Sequence, residues 1–370
     1  MASLSGTETV SGAGAGTGTE NIAEIKTQYK KFIGRKILFI LFSLILIFII
    51  AGVSATLGSY PISVTEVYSI IWHGIFQNVE TTKEFAVWYY RLPRIIMGIL
   101  AGMGLAIAGT MMQGILRNPL ASPYTLGISA GAGFGAAIAI IYGTVLIPGV
   151  STTYLVIANA FVFSLIPVFV IMGLARFRKA TSELMILAGI AMWFIFSGYL
   201  HLIFYFAEPE AMKEAYFWII GGLSRASWNN IMPMAVMFAL CVPLLMWKSW
   251  DLNVMGAGDE TAKSLGINVE RARLFIMIVA CLLTASIISF TGCIGFVGLV
   301  APHICRIIIG GDNRFLIPAS GFFGGAFLLG MSTLGRTVMA PEIIPEGVMM
   351  ACIGGPFFFF LLLWRMKEYW

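Results

Sequence analysis

Few residues in this chain can do chemistry, and most of them stand where apolar runs begin or end. The first group is Arg91-Leu92-Pro93-Arg94. Proline suits the first turn of a helix, where a missing N–H leaves nothing unpaired. Two guanidinium groups at the same place oppose the helix dipole. They read either as long side chains snorkelling to a membrane surface or as a docking point for an acidic partner, which Arg336, at the end of a later apolar run, would join. The second group is Arg117-Asn118-Pro119-Leu120-Ala121-Ser122-Pro123, followed by Gly127, Gly131 and Gly135. Its prolines enforce a non-helical turn, and the glycines give one smooth helix face, suited to tight packing or to lining a path. The third is Gly258-Asp259-Glu260-Thr261-Ala262-Lys263-Ser264-Leu265-Gly266. It reads as a short amphipathic helix with acidic residues at its start and glycine at its stop. That is either a plain loop helix or a docking element for a soluble subunit. In the fourth, Gly292 to His303, Pro302 and His303 interrupt an apolar run.

Several chemistries have no footing. There is no GxxxxGK[ST] loop to cradle a phosphate, so any ATP-driven step needs another subunit. The three histidines form no HExxH or Cys/His group, and none of the five cysteines makes a CxxC pair, which argues against a metal site. Asp and Glu are almost confined to the segments between apolar runs, which argues against coupling to a proton or sodium gradient. No compact basic patch with interleaved aromatics points to nucleic acid.

The elements that hold these groups must be membrane helices. Hydrophobic residues make up 59% of the chain and charged residues 11%, with a mean hydropathy of +0.90. Such a composition is accommodated by lipid rather than by a soluble core. Apolar segments of spanning length fall near 37–57, 94–115, 125–143, 152–175, 184–206, 229–249, 272–290, 296–309, 316–335 and 346–365. The expected fold is therefore all-α and polytopic, with about ten transmembrane helices. The segments at 125–143 and 296–309 are short or rich in glycine and read as candidate half-helices. Lys26, Lys30, Lys31, Arg35 and Lys36 precede the first span and place the N-terminus in the cytoplasm. Ten crossings return the C-terminus there, with Lys and Arg favouring the inner side roughly three to one. Residues 1–35 read as a disordered cytoplasmic tail and 36–370 as the membrane domain. Residues 58–93 and 207–228 are long outer connections, and 250–271 a helical cytoplasmic one.

Taken in order, the motifs resemble the FecCD-type permeases of binding-protein-dependent ABC importers. They are RLPR, RNPLASP, LAGIAM (187–192), FWIIGGLSRASW (217–228), the Asp259–Gly266 helix, GFVGLVAPHICR and PEGVMMACIGGPFFFFLLL. The resemblance runs from about Arg91 to Arg365, with weaker similarity from residue 37. It implies a type II ABC importer permease, a homodimer with the path at its interface, in the cytoplasmic membrane. ATPase subunits carrying ATP and Mg would bind one side and a substrate-binding protein the other, and this chain would be no enzyme and hold no cofactor. Arg91, Arg94 and Arg336 would pair with the binding protein. Gly258, Asp259, Glu260, Ala262, Leu265 and Gly266 would form the ATPase-coupling segment. Asn118, Leu120, Thr181 and Ser182 would form the inner gate. The cargo implied is an iron chelate (a ferric siderophore or haem) or cobalamin. Spans 2–5 and 7–10 run oppositely, which allows an inverted repeat. The rival reading is a secondary transporter driven by an ion gradient.

Overall fold

A computed structural model describes residues 14–58, 62–74, 81–143, 152–177 and 181–365. The described segments are mainly helical; of the expected disordered tail, residues 14–35 form the start of the first helix and residues 1–13 lie outside the described residues. In order, the helices are α1 (Gly14–Thr56), α2 (Val64–Gly74), α3 (Thr82–Leu116), α4 (Ile128–Tyr142), α5 (Thr152–Phe177), α6 (Ser182–Phe206) and α7 (Pro209–Ile220). They continue as α8 (Trp228–Trp247), α9 (Ser249–Gly256), α10 (Asp259–Ser264), α11 (Val269–Thr291), α12 (Val297–Ile309) and α13 (Asn313–Thr337). The last, α14, starts at Glu346 and passes through a π-turn at Met350–Gly354 to Arg365. Among the described residues, seven helices are long and apolar enough to cross a bilayer, and α4, α12 and α14 are shorter apolar ones. These ten occupy the ten expected positions. At 1.5 Å per residue, α12, with 13 residues, reaches about 20 Å, short of the roughly 30 Å hydrocarbon core. The segments between spans carry α2, α7, α9 and α10.

The centre of the molecule is α3, packed against α11, α12 and α13. Glycine sets the spacing. A Cβ on Gly102 would overlap the carbonyl of Gly324, and one on Gly109 the carbonyl of Gly298. Pro302, four residues beyond Gly298, has no N–H to give that carbonyl, so the close approach of α3 costs no helical hydrogen bond. Pro302 and His303 thus lie within α12 and do not end it. His303 is buried, its ring edge-on to Phe358 of α14 at 5.9 Å. The chain breaks at Gly292–Phe296, between α11 and α12, in the gap expected between the spans at 272–290 and 296–309. A second layer is α4 against α5, α6 and α7. The glycine face of α4 serves packing here, since a Cβ on Gly131 or Gly135 would stand 2.5 Å from the carbonyls of Phe163 and Asn159 on α5.

The sequence places a helix start at Pro93, but α3 begins at Thr82 and runs through a π-turn at Ala86–Arg91. The wider turn accommodates the Pro93 ring against the preceding turn. The Leu92 amide donates to Val87, five residues back. The carbonyl of Trp88 then accepts from the Trp228 indole at 2.9 Å. The Trp88 indole donates to Ile70 of α2 at 3.1 Å, so the turn locks α2, α3 and α8 together.

Candidate functional site

The turn 117–127 joins α3 to α4 and holds one wall of a cavity of about 550 Å³. Helix α3 ends in a Schellman-type cap: the Asn118 amide donates to Gln113 and Arg117 takes φ +46°. A non-glycine residue here is strained, and its side chain is what holds it, as described below. The Asn118 side-chain oxygen accepts from the Leu120 amide at 2.9 Å, an Asx turn that leaves Leu120 44% exposed. Ser122 and Thr125 cap each other around Pro123. The Tyr124 hydroxyl donates to the carbonyl of Ile294 at 2.7 Å, tying the turn to the break between α11 and α12. Across the cavity stand Ile186, Ile190 and Trp193 of α6, and Phe296 and Leu299 from the break and α12. Phe296 takes φ +64° and packs against Gly354 at the π-turn of α14.

Of the four expected gate residues, Asn118 and Leu120 line this cavity. Thr181 instead caps α6, its hydroxyl accepting from the Leu184 amide at 3.3 Å, with Ser182 in the first turn. The part of α6 that faces the cavity starts one turn later, at Ile186. Sequence reasoning missed Ile186, Trp193, Tyr124 and Phe296. Nothing in the pattern separates one apolar face of α6 from another, and no local signal marks a positive φ at Phe296.

Below the cavity lies a clasp of three charges. Asp259, at the start of α10, pairs with Arg117 and with Arg273 near the start of α11, the latter at 3.3 Å to both carboxylate oxygens. Arg117 also donates to the carbonyl of Met255 at 2.6 Å, and Arg273 to that of Ile115 at 3.2 Å. Glu183, in the first turn of α6, stands within the field of Arg273 and Asp259. The short helix α10 is therefore wired to the end of α3, the 117–127 turn and the start of α11. Its own geometry follows the capping rules. Gly258 takes φ +124°, Gly266 takes φ +84°, and the Ile267 amide donates to Ala262 in a Schellman motif. Ala262 is buried beneath it, Glu260 is exposed and paired with Lys263, and Leu265 projects with 66% exposure. Asp259, grouped by sequence with the docking residues, is half-buried and turned inward.

A second knot at the same end was not read from sequence. Asp312 caps α13 and accepts from Arg314, Asn253 of α9 and Lys36 of α1, the last at 3.3 Å. The Arg314 hydrogen bond, with Asn253 and Lys36 behind it, holds the Asp312 carboxyl well below the usual carboxylate range.

At the opposite end, Arg91, Arg94 and Arg336 do not form the exposed rim expected of them. Arg91 is 6% exposed and donates to the carbonyls of Ala55 and Thr56 at 2.6 and 3.1 Å. Arg336, 9% exposed, donates to the carbonyl and hydroxyl of Ser54. The last turn of α1 leaves carbonyls without helical donors, and two arginines from other helices fill them. Arg94 pairs with Glu346 at 3.0 Å, and Glu346, fully buried, also accepts from Ser332 and the Leu223 amide. Around it three chain breaks meet backbone to backbone. Gly222 donates to Thr291 at 2.7 Å and Gly347 to Gly221 at 3.1 Å.

Residues 43–364 match the model of the FecCD transport family. The chain is 33% identical to the hemin transport system permease protein of Yersinia pestis, over 88% of this chain and 95% of that one. It is 34% identical to the cobalamin import system permease protein of Halobacterium salinarum, over 77% and 75%. A solved inward-facing structure of an ABC transporter assigned to the metal-chelate type superposes with a TM-score of 0.77 at 26% identity, covering 88% of this chain and 98% of that one. A central bundle pierced by a small-residue break, with the 117–127 turn wired to a short surface helix, is thus the architecture of a multi-pass ABC importer permease, and the chain belongs to the FecCD transport family.

Proposed function

We propose that this permease works as one half of a homodimeric pore that imports an iron chelate, such as a ferric siderophore or haem, or cobalamin. In this reading the Asp259 end faces the cytoplasm with both termini. ATP and Mg bind the partner ATPase, which seats on α10. The binding protein docks at the Arg91 end, where the three arginines brace the surface from beneath. Asn118 and Leu120, with the start of α6 at Thr181 and Ser182, close the path toward the cytoplasm.

The observation that supports this reading best is the orientation of α10. Its apolar tip, Leu265, is exposed on a helix whose other side is clamped to the gate turn through Asp259. A soluble motor gripping that tip acts directly on the gate. Two measurements test the reading. Proteoliposomes holding the chain with its ATPase and binding protein accumulate a ferric chelate or cobalamin only with ATP; uptake by the chain alone under a sodium or proton gradient refutes it. Leu265→Asp abolishes copurification of the ATPase while the chain still inserts; normal copurification refutes the seat on α10.

A further inference from the structure

A second cavity, of about 690 Å³, lies away from the gate, at the Arg91 end of the bundle. Its walls are Ile140 in the last turn of α4, Ile157 in the second turn of α5 and Phe290 at the end of α11. Three spans end at this level, so the cavity sits where a bilayer's hydrocarbon gives way to headgroups. Its polar side is built by Arg225, with Trp218 and Glu214 of α7.

Arg225 is the unusual member. Among the described residues no carboxylate lies within ion-pair distance of it, Glu214 included. Its guanidinium has a long hydrogen bond to the carbonyl of Trp218 at 3.4 Å and lies over the Trp218 ring at 5.4 Å. Burial pulls its pKa down to about 10. Arg225 is half-buried, and a half-buried cation with no carboxylate in pairing distance is favoured by an anion that completes it. The loop is already rigid. The Asn230 side chain donates to the carbonyl of Arg225 at 2.9 Å, and Ser227 caps α8. The guanidinium therefore waits in place, and little ordering remains to be done on binding.

We propose that this cavity binds a membrane lipid through its phosphodiester, with the phosphate oxygens on Arg225 and a hydrocarbon chain along Ile140 and Ile157. The two halves of the site match the two halves of such a molecule. The planar fork of arginine suits phosphate oxygens, and the aliphatic walls suit a chain rather than a small hydrated anion. The exposed Glu214 carboxylate, on the solvent side, favours a singly charged phosphodiester over a doubly charged free phosphate.

The test uses the full-length chain, delipidated in detergent and read by native mass spectrometry. The probes are phosphatidylglycerol, diacylglycerol with the same chains, and glycerol 3-phosphate. Wild type retains phosphatidylglycerol roughly tenfold more tightly than either fragment. Arg225→Gln loses that advantage and Arg225→Lys keeps part of it. Ile157→Trp, which fills the cavity from another helix and leaves Arg225 intact, also loses it. Equal retention of phosphatidylglycerol by wild type, Arg225→Gln and Ile157→Trp overturns the site. Glycerol 3-phosphate binding as tightly as phosphatidylglycerol overturns the lipid assignment.

Discussion

Replacing Asp259 with Asn should loosen the 117–127 turn without unfolding the bundle, and the size of the effect follows from the two arms of the clasp. Arg117 and Asp259 are 39% and 37% exposed, so solvent screens that arm to about 0.2–1 kcal/mol. Arg273 is 5% exposed and loses its charged partner when the carboxylate is gone, while its bond to the carbonyl of Ile115 stays. A charge-assisted bond of that kind contributes about 1.5–3 kcal/mol. Partial compensation by the Asn carbonyl brings the sum to about 2 kcal/mol, roughly a thirtyfold increase in the open population of the turn. Amide hydrogen exchange on the full-length chain reads this directly, because local opening sets the exchange rate of the Asn118, Leu120 and Ala121 amides. Exchange there should rise roughly tenfold or more in Asp259→Asn while α3 residues near Gly102 stay protected. Arg117→Gln, which removes the exposed arm, should have the smaller effect. Identical exchange in wild type and Asp259→Asn, or a larger effect from Arg117→Gln, would refute the reasoning.

Two other predictions concern stability. Gly109→Ala drives a methyl into the Gly298 carbonyl and should cost roughly 1–3 kcal/mol by overpacking, lowering the melting temperature of the solubilised chain. Gly173→Ala, whose Cβ has nothing within 4 Å, should leave it unchanged. Asp312 has a depressed pKa in the folded chain, so its contribution is complete above the ordinary carboxylate pKa. It fades as pH falls below roughly 4. A melting series over that range should fall more steeply for wild type than for Asp312→Asn; parallel curves would count against the knot.

The membrane fold was legible because its signal is additive over many residues. Twenty apolar positions in a row mark a span whatever their order, and the short runs at 125–143 and 296–309 are the short helices α4 and α12. Capping chemistry was equally readable, since Gly258 and Gly266 bracket α10 for local reasons. The break between α11 and α12 falls in the expected gap between 290 and 296, but Pro302 was misread as an interruption because proline is a conditional signal. Pro302 removes one donor, and the helix continues because the freed carbonyl of Gly298 meets Gly109 of another helix. That partner lies 189 residues away in sequence, and no local rule contains it. Lys36, Asn253 and Asp312 were invisible as a group for the same reason.

The arginines show most clearly what a sequence leaves open. An arginine at a helix end near a membrane surface can turn outward to water or inward to carbonyls, and its neighbours in sequence are the same in either case. Here the choice is set by α1, whose last turn offers the carbonyls of Ser54, Ala55 and Thr56 to Arg336 and Arg91. Glu346 likewise stands in the first turn of α14, where the helix dipole favours an anion, and meets Arg94. These charges are nearly dry, so breaking a pair strands a buried ion at about 3–5 kcal/mol. The Asp259 clasp is more than a third exposed on two of its three members and opens for less. The least costly rearrangement is therefore at the end that carries α10 and the 117–127 turn. A pull on α10 moves the turn before it disturbs the arginine-braced end.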